Sequence, residues 1–135
     1  RGKNRMTLEL AALAATAFIH LVAVMWSQKS LEADVGHKAN VGTREGIEQN
    51  CSETTLRLRR ALANHTENIG PFIIAVILVS LTESNSLFTA ACAWIFVIAR
   101  ALYLPAYANA WVPGRSYIYL IGLVATFAMI VASFF

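Results

Sequence analysis

The chain has 135 residues, of which 57% are hydrophobic and only 14% charged. Soluble domains carry about 25% charged residues, so 11 basic and 8 acidic side chains cannot clothe a water-facing surface, and a disordered chain would be far poorer in apolar residues. The net charge of +3 does not point to nucleic acid, because the basic residues are not gathered on a soluble domain; what remains is a single domain built for a bilayer.

Residues Arg1–Arg5 precede Met6, and RGKNR reads as an addition ahead of the native start. A crossing helix needs about 20 mostly apolar residues to traverse about 30 Å of hydrocarbon. Thr7–Ser27 meets that need, interrupted by Glu9 and His20, and a first helix is expected over about 7–28. It lacks a small-residue cleavage site and is long enough to span, so no cleavable signal peptide is expected. His20 reads as a packed or hydrogen-bonded histidine, and Glu9 is expected at the far membrane interface.

A polar loop follows at 29–52, with turns expected at Gly36, Gly42 and Gly46. Cys51 in this loop and Cys92 in an apolar stretch read as free thiols, since a disulfide framework needs a denser set. Next, Ile69–Thr82 is too short to cross, at about 21 Å of helix. The second helix must therefore reach back through the charged segment Leu56–Asn68, giving a span of about 53–82. A tight turn at Glu83–Ser86 leads to a third helix at about 85–110 that carries Arg100. The NAWVPGR turn leads to a charge-free fourth helix at about 116–135. Pro71 and Pro105 are expected to bend their helices.

The expected fold class is thus an all-α membrane protein, a four-transmembrane-helix bundle with both termini on one side. Lys29, Lys38, Arg44, Arg57, Arg59, Arg60 and Arg115 flank the side of the long loop, against Arg1, Lys3 and Arg5 on the other. The positive-inside rule then puts the long loop in the cytoplasm. Trp111 and Tyr117 suit an interfacial aromatic belt. Phe88, Cys92, Trp94 and Phe96 read as lipid-facing or packing residues, and Arg59 as a side chain that snorkels to headgroups.

At about 100° per residue, Arg57, Arg60, Asn64 and Glu67 share an arc of about 80° on the second helix, while Arg100, Tyr103 and Tyr107 share about 60° on the third. Counted outward from Ser84 in the hairpin turn, Glu67 falls level with Arg100, Asn64 with Tyr103, and Arg60 with Tyr107. Arg115, Ser116 and Tyr119 open the fourth helix at the same end. His65 falls off the stripe and receives no role. An ionised residue at a helix centre costs roughly 2.5–3.5 kcal/mol on insertion scales and marks a function by default. Mutual neutralisation of Glu67 and Arg100 would explain that pair alone, not four arginines facing one glutamate. Guanidinium forks suit carboxylates. A ligand with two carboxylates and one ammonium, such as glutathione, matches the set, and no metal is called for.

These residues resemble a known family. The stretch Arg57-x-x-Arg60-Ala61-x-x-Asn64-x-x-Glu67-x-x-x-Pro71-Phe72 is similar to the signature of the membrane-associated proteins in eicosanoid and glutathione metabolism, the MAPEG family. Arg100 with Tyr107, then Arg115-Ser116-x-x-Tyr119, resembles its second motif, and the likeness covers nearly the whole chain, best fitting the bacterial branch. The resemblance implies a homotrimer with glutathione bound between subunits. It implies that Arg57, Arg60, Asn64, Glu67, Arg100, Tyr103, Tyr107 and Tyr119 bind glutathione, with Glu67 on its amine. Arg115, Ser116 and Tyr107 would be catalytic, stabilising the thiolate. Three departures stand out: Tyr103 where some members have His, Ala63 where some have Arg, and Pro105 inside the third-helix stripe. They speak against prostaglandin or leukotriene synthesis in particular.

Three function classes follow. The first is a glutathione-dependent enzyme of the inner membrane that conjugates glutathione to lipophilic electrophiles, reduces lipid hydroperoxides, or both. The second is a non-catalytic lipid-binding scaffold of the same family. The third, a small multidrug exporter, requires an isolated acid at the middle of the first helix, whereas Glu9 lies near its end.

Overall fold

A computed structural model describes residues 5–135; Arg1 and Lys3, used above to weigh orientation, and all but the last residue of RGKNR lie outside the described residues. Among the described residues, four helices are long and apolar enough to cross a membrane. The first, α1, runs Leu8–Val35 and starts where the Thr7 hydroxyl accepts the Leu10 amide at 3.1 Å. It passes the expected end near residue 28 because no Gly or Pro interrupts Lys29–Val35 and Leu31 is fully buried. Gly36, at φ +84°, then supplies the left-handed conformation that stops it.

The segment expected as a polar surface loop is shorter and more ordered than its composition suggests. It contains the four-residue α2 (His37–Asn40) and a 3-10 turn at Ile47–Asn50. Carboxylates on the last turns of α1 pin it down. Glu32 accepts from the Asn40 amide at 2.9 Å, and Asp34 accepts from the Ser52 backbone at 2.7 Å and from the Thr55 hydroxyl. Arg44 closes the segment by donating to the Asn40 backbone and side chain, both at 2.7 Å.

Helix α3 (Glu53–Leu81) is capped by Ser52, α4 (Leu87–Ala108) by a Ser86–Thr89 capping box, and α5 spans Gly114–Ala132. Pro71 and Pro105 lie inside α3 and α4, which continue through them. Each removes one helical hydrogen bond, freeing the carbonyl four residues earlier, at Glu67 and Ala101. α1 packs on α3 and α4, and α4 also packs on α5.

Two apolar clusters fill the bundle. Nearer the α3–α4 turn, Phe72 and Phe96 stack at 4.0 Å among Val76, Val79 and Met129. Nearer the other end, Ala23, Leu58 and Ala61 meet Tyr103 and Leu104. Of the residues read as lipid-facing or packing, Phe96 and Cys92 are buried and Phe88 is exposed, while the Trp94 indole donates to the Leu8 carbonyl at 3.0 Å. Glu9, expected at the far membrane interface, lies in the first turn of α1 at the end of the bundle. It is buried, accepting from the Asn85 amide at 2.9 Å and the Thr89 hydroxyl at 2.5 Å, because the α3–α4 turn folds over the start of α1 and offers it two donors.

Candidate functional site

The face that α3 buries is set by Leu58, Ala61, His65 and Phe72, spaced three, four and seven residues apart and all buried. Glu67 lies about 160° around the helix from His65, and Arg60 about 140°, so both point away from the packed seam. Both are exposed on the single chain, and Asn64, between the two faces, is half-buried.

Arg100 is buried to 3% exposure on α4, in the layer between the two apolar clusters. Its Nη2 donates to Asn64 Oδ1 at 3.0 Å and its Nε to His65 Nδ1 at 3.2 Å. Its guanidinium also lies 4.4 Å from the Tyr103 ring centroid, a cation–π contact in a dry setting. The rung from Glu67 to Arg100 is not joined: among the described residues Glu67 forms no ion pair. The seam geometry explains this, since Asn64 and His65 face α4 and Glu67 does not.

Lower on the ladder, Arg60 Nε donates to the Tyr107 hydroxyl at 3.2 Å, pairing the rung expected from residue counting. Arg115, from the start of α5, stacks on the other side of that contact, 4.5 Å from the Tyr107 ring. Tyr103 stands edge-on to Tyr107 at 5.7 Å and tilted to Tyr119 at 6.2 Å. Arg57 Nε donates to the Ala108 carbonyl at 3.0 Å, which satisfies a carbonyl at the negative end of α4. Ser116 and Glu67 are exposed on the single chain. The structure thus gathers Arg60, Asn64, Arg100, Arg115 and the three tyrosines into one network and ties Arg57 to its rim.

His65 was missed by the ladder because it lies off the polar stripe. Its spacing from Leu58, Ala61 and Phe72 is the signal that places it on the packed face, against Arg100. Across the ring from Arg100, His20 of α1 stacks on His65 at 5.4 Å.

The arrangement can hold anions. Guanidiniums donate along planar forks, tyrosine hydroxyls donate or accept, and an exposed carboxylate nearby can take an ammonium. The sequence pattern of the MAPEG family matches residues 6–135, nearly the whole chain. The chain belongs to the MAPEG family. Comparisons with curated proteins and with solved structures gave no match. Together with four membrane-length apolar helices, membership makes this MAPEG protein an integral, multi-pass membrane protein of a family associated with glutathione and eicosanoid metabolism.

Proposed function

We propose that this MAPEG chain is a glutathione-dependent membrane enzyme that conjugates glutathione to lipophilic electrophiles, reduces lipid hydroperoxides, or does both. The observation that carries this reading is the excess of positive charge between the level of Arg100 and that of the Arg60–Tyr107 rung. Arg60, Arg100 and Arg115 are threaded through Tyr103, Tyr107 and Tyr119, and Glu67, one turn beyond Asn64 on α3, is exposed and forms no ion pair among the described residues. Glutathione offers two carboxylates to the guanidiniums and an ammonium to Glu67.

Exposure of Glu67 also favours a homotrimer with sites between subunits. Counted back from Leu81, Glu67 lies about 21 Å along α3, inside a hydrocarbon layer of about 30 Å. A charge left facing lipid there is costly; a second copy packed over this face would cover it and complete the ligand's enclosure. We place the long-loop side in the cytoplasm of a bacterial inner membrane on the distribution of basic residues.

In conjugation, Arg115, Ser116 and Tyr107 stabilise the thiolate. Its sulfur attacks the electrophilic carbon, a C–S bond forms, and the leaving group departs with its electron pair. In peroxide reduction, the sulfur attacks the terminal peroxide oxygen, the O–O bond breaks, and the alkoxide takes a proton. The resulting sulfenic acid condenses with a second glutathione to give the disulfide and water. Substrates dissolved in lipid would reach the site laterally.

Titration of glutathione into the purified protein in detergent, followed by calorimetry and thermal shift, tests the reading. Binding is expected in the micromolar-to-millimolar range, with thiolate absorbance near neutral pH, and Arg60→Ala and Glu67→Ala should each abolish it. Absence of heat and of thermal shift with the wild-type protein would sink the enzyme reading in favour of a lipid-binding scaffold.

A further inference from the structure

His65 is only 3% exposed, yet it occupies a position on the α3 seam where its neighbours are Leu58, Ala61 and Phe72. An imidazole there is an expensive choice, because its buried Nε2 has no hydrogen-bond partner, and neither has the buried Nδ1 of His20 stacked against it. The Thr16 carbonyl of α1 comes close to the His65 ring but outside hydrogen-bonding geometry. Packing alone would be served better by leucine. The one hydrogen bond that His65 does make is to Arg100.

That bond decides how the guanidinium is presented. A guanidinium only donates, so Nδ1 of His65 must carry the lone pair and the ring proton sits on Nε2, a tautomer assigned from the contact. The Nε and Nη2 of arginine form its side-on fork. In Arg100 this fork is filled by two residues of α3, His65 on Nε and Asn64 on Nη2. The Tyr103 ring covers one guanidinium face. Nη1 makes no hydrogen bond among the described residues, so the end-on pair of Nη1 and Nη2 keeps donors that neither α3 nor the Tyr103 ring uses.

We propose that His65 is a positioning residue: it fixes the rotation of the Arg100 guanidinium so that the end-on fork, rather than the side-on fork, faces the anionic group of the ligand. His20 backs the ring and couples α1 to the same layer. The identity of that anionic group as a carboxylate of glutathione rests on the function proposed above; the His65–Arg100 pairing does not.

Two variants separate this role from simple packing. His65→Leu keeps bulk and removes the acceptor, while His65→Asn places an amide oxygen near the position of Nδ1. Nitrogen NMR of arginine- and histidine-labelled protein in detergent micelles should show wild-type His65 protonated at Nε2 and a slowly exchanging Arg100 Nε–H. That protection should be lost in His65→Leu and retained in His65→Asn. In glutathione titrations, loss of one charge-assisted hydrogen bond should weaken binding about tenfold in His65→Leu, with His65→Asn within about threefold of wild type. KM for glutathione should rise in parallel, with kcat little changed. If His65→Leu leaves both the Arg100 exchange rate and KM at wild-type values, the positioning role is overturned. If wild-type protein fails to bind glutathione, that reading of the ligand falls, and the exchange measurement still decides the role of His65.

Discussion

Asn64 and Arg100 meet across the seam between α3 and α4, with Arg100 Nη2 donating to Asn64 Oδ1 at 3.0 Å. Asn64 is itself braced, since its carbonyl and side chain accept from the Asn68 amide at 2.8 and 3.4 Å. The contact therefore links a buried cation to a half-buried face that is free to touch a ligand.

Replacing Asn64 by leucine removes the acceptor and leaves a buried guanidinium edge unsatisfied. A hydrogen bond to a charged group contributes about 1.5–3 kcal/mol, so glutathione affinity should fall by about tenfold to a hundredfold. Calorimetric titration of Asn64→Leu beside wild type checks this. An unchanged dissociation constant would mean that Arg100 is held adequately by His65 and Tyr103 alone.

Tyr107 joins two arginines in different ways, through its hydroxyl to Arg60 and through its ring to Arg115. Tyr107→Phe should remove only the first contact, and Tyr107→Leu both. The phenylalanine variant should raise KM for glutathione by about threefold to tenfold, in line with one hydrogen bond at a partly exposed site. The leucine variant should also lower kcat, because the cation–π contact that orients Arg115 is lost. Steady-state kinetics on both variants separates the effects; identical kcat values would remove Arg115 from the thiolate step.

Hydropathy made the four helices legible, because each long apolar run had to cross a bilayer and the shortfall at Ile69–Thr82 forced α3 to begin near residue 53. The Arg60–Tyr107 rung was legible from counting outward from the hairpin turn. The Glu67–Arg100 rung was not, because residue counting gives depth along a helix but not which neighbour each face meets. The facing was encoded instead in Leu58, Ala61 and Phe72, and the same spacing would have put His65 beside Arg100. The ordering of residues 37–50 escaped composition too, since it depends on Glu32 and Asp34 capping groups far along the chain.

Cys51 lies outside the membrane-spanning helices, half-buried, with its thiol donating to the Ile47 carbonyl at 3.4 Å. Burial pushes its thiol pKa up, against the opposing pull of the Arg59 cation. Only the thiolate is the nucleophile, so a raised pKa means less reactive form at neutral pH. Alkylation of Cys51 should be slower than that of a free cysteine at pH 7 and should keep accelerating with pH beyond the range where free cysteine levels off. Mass-spectrometric rates across pH, read on the Cys51 peptide, give the profile. A rate at pH 7 matching free cysteine would contradict it.

The last expectation concerns the end of the bundle opposite the arginines. Glu9 is buried at 2% exposure, and its two oxygens take the Asn85 amide and the Thr89 hydroxyl, tying α1 to the turn that joins α3 and α4. Thr89 also serves the capping box of α4, so one carboxylate steadies a turn and a helix start together. Glu9→Leu strands one buried donor, the Thr89 hydroxyl, while the exposed Asn85 amide can turn to water; a buried donor left fully unpaired costs about 1–3 kcal/mol, and Thr89 retains the Ser86 carbonyl as an acceptor, so the total should sit at the low end. Glu9→Gln keeps an acceptor for one donor and should lose roughly half as much. Both should lower the thermal midpoint in detergent while leaving glutathione affinity within about twofold of wild type, because Thr89, which holds Glu9, lies about three turns of α4 from Arg100. A Glu9→Leu protein that melts like wild type would show that the turn is held by its own hydrogen bonds, and loss of glutathione binding in a well-folded Glu9→Gln protein would show that the two ends are coupled.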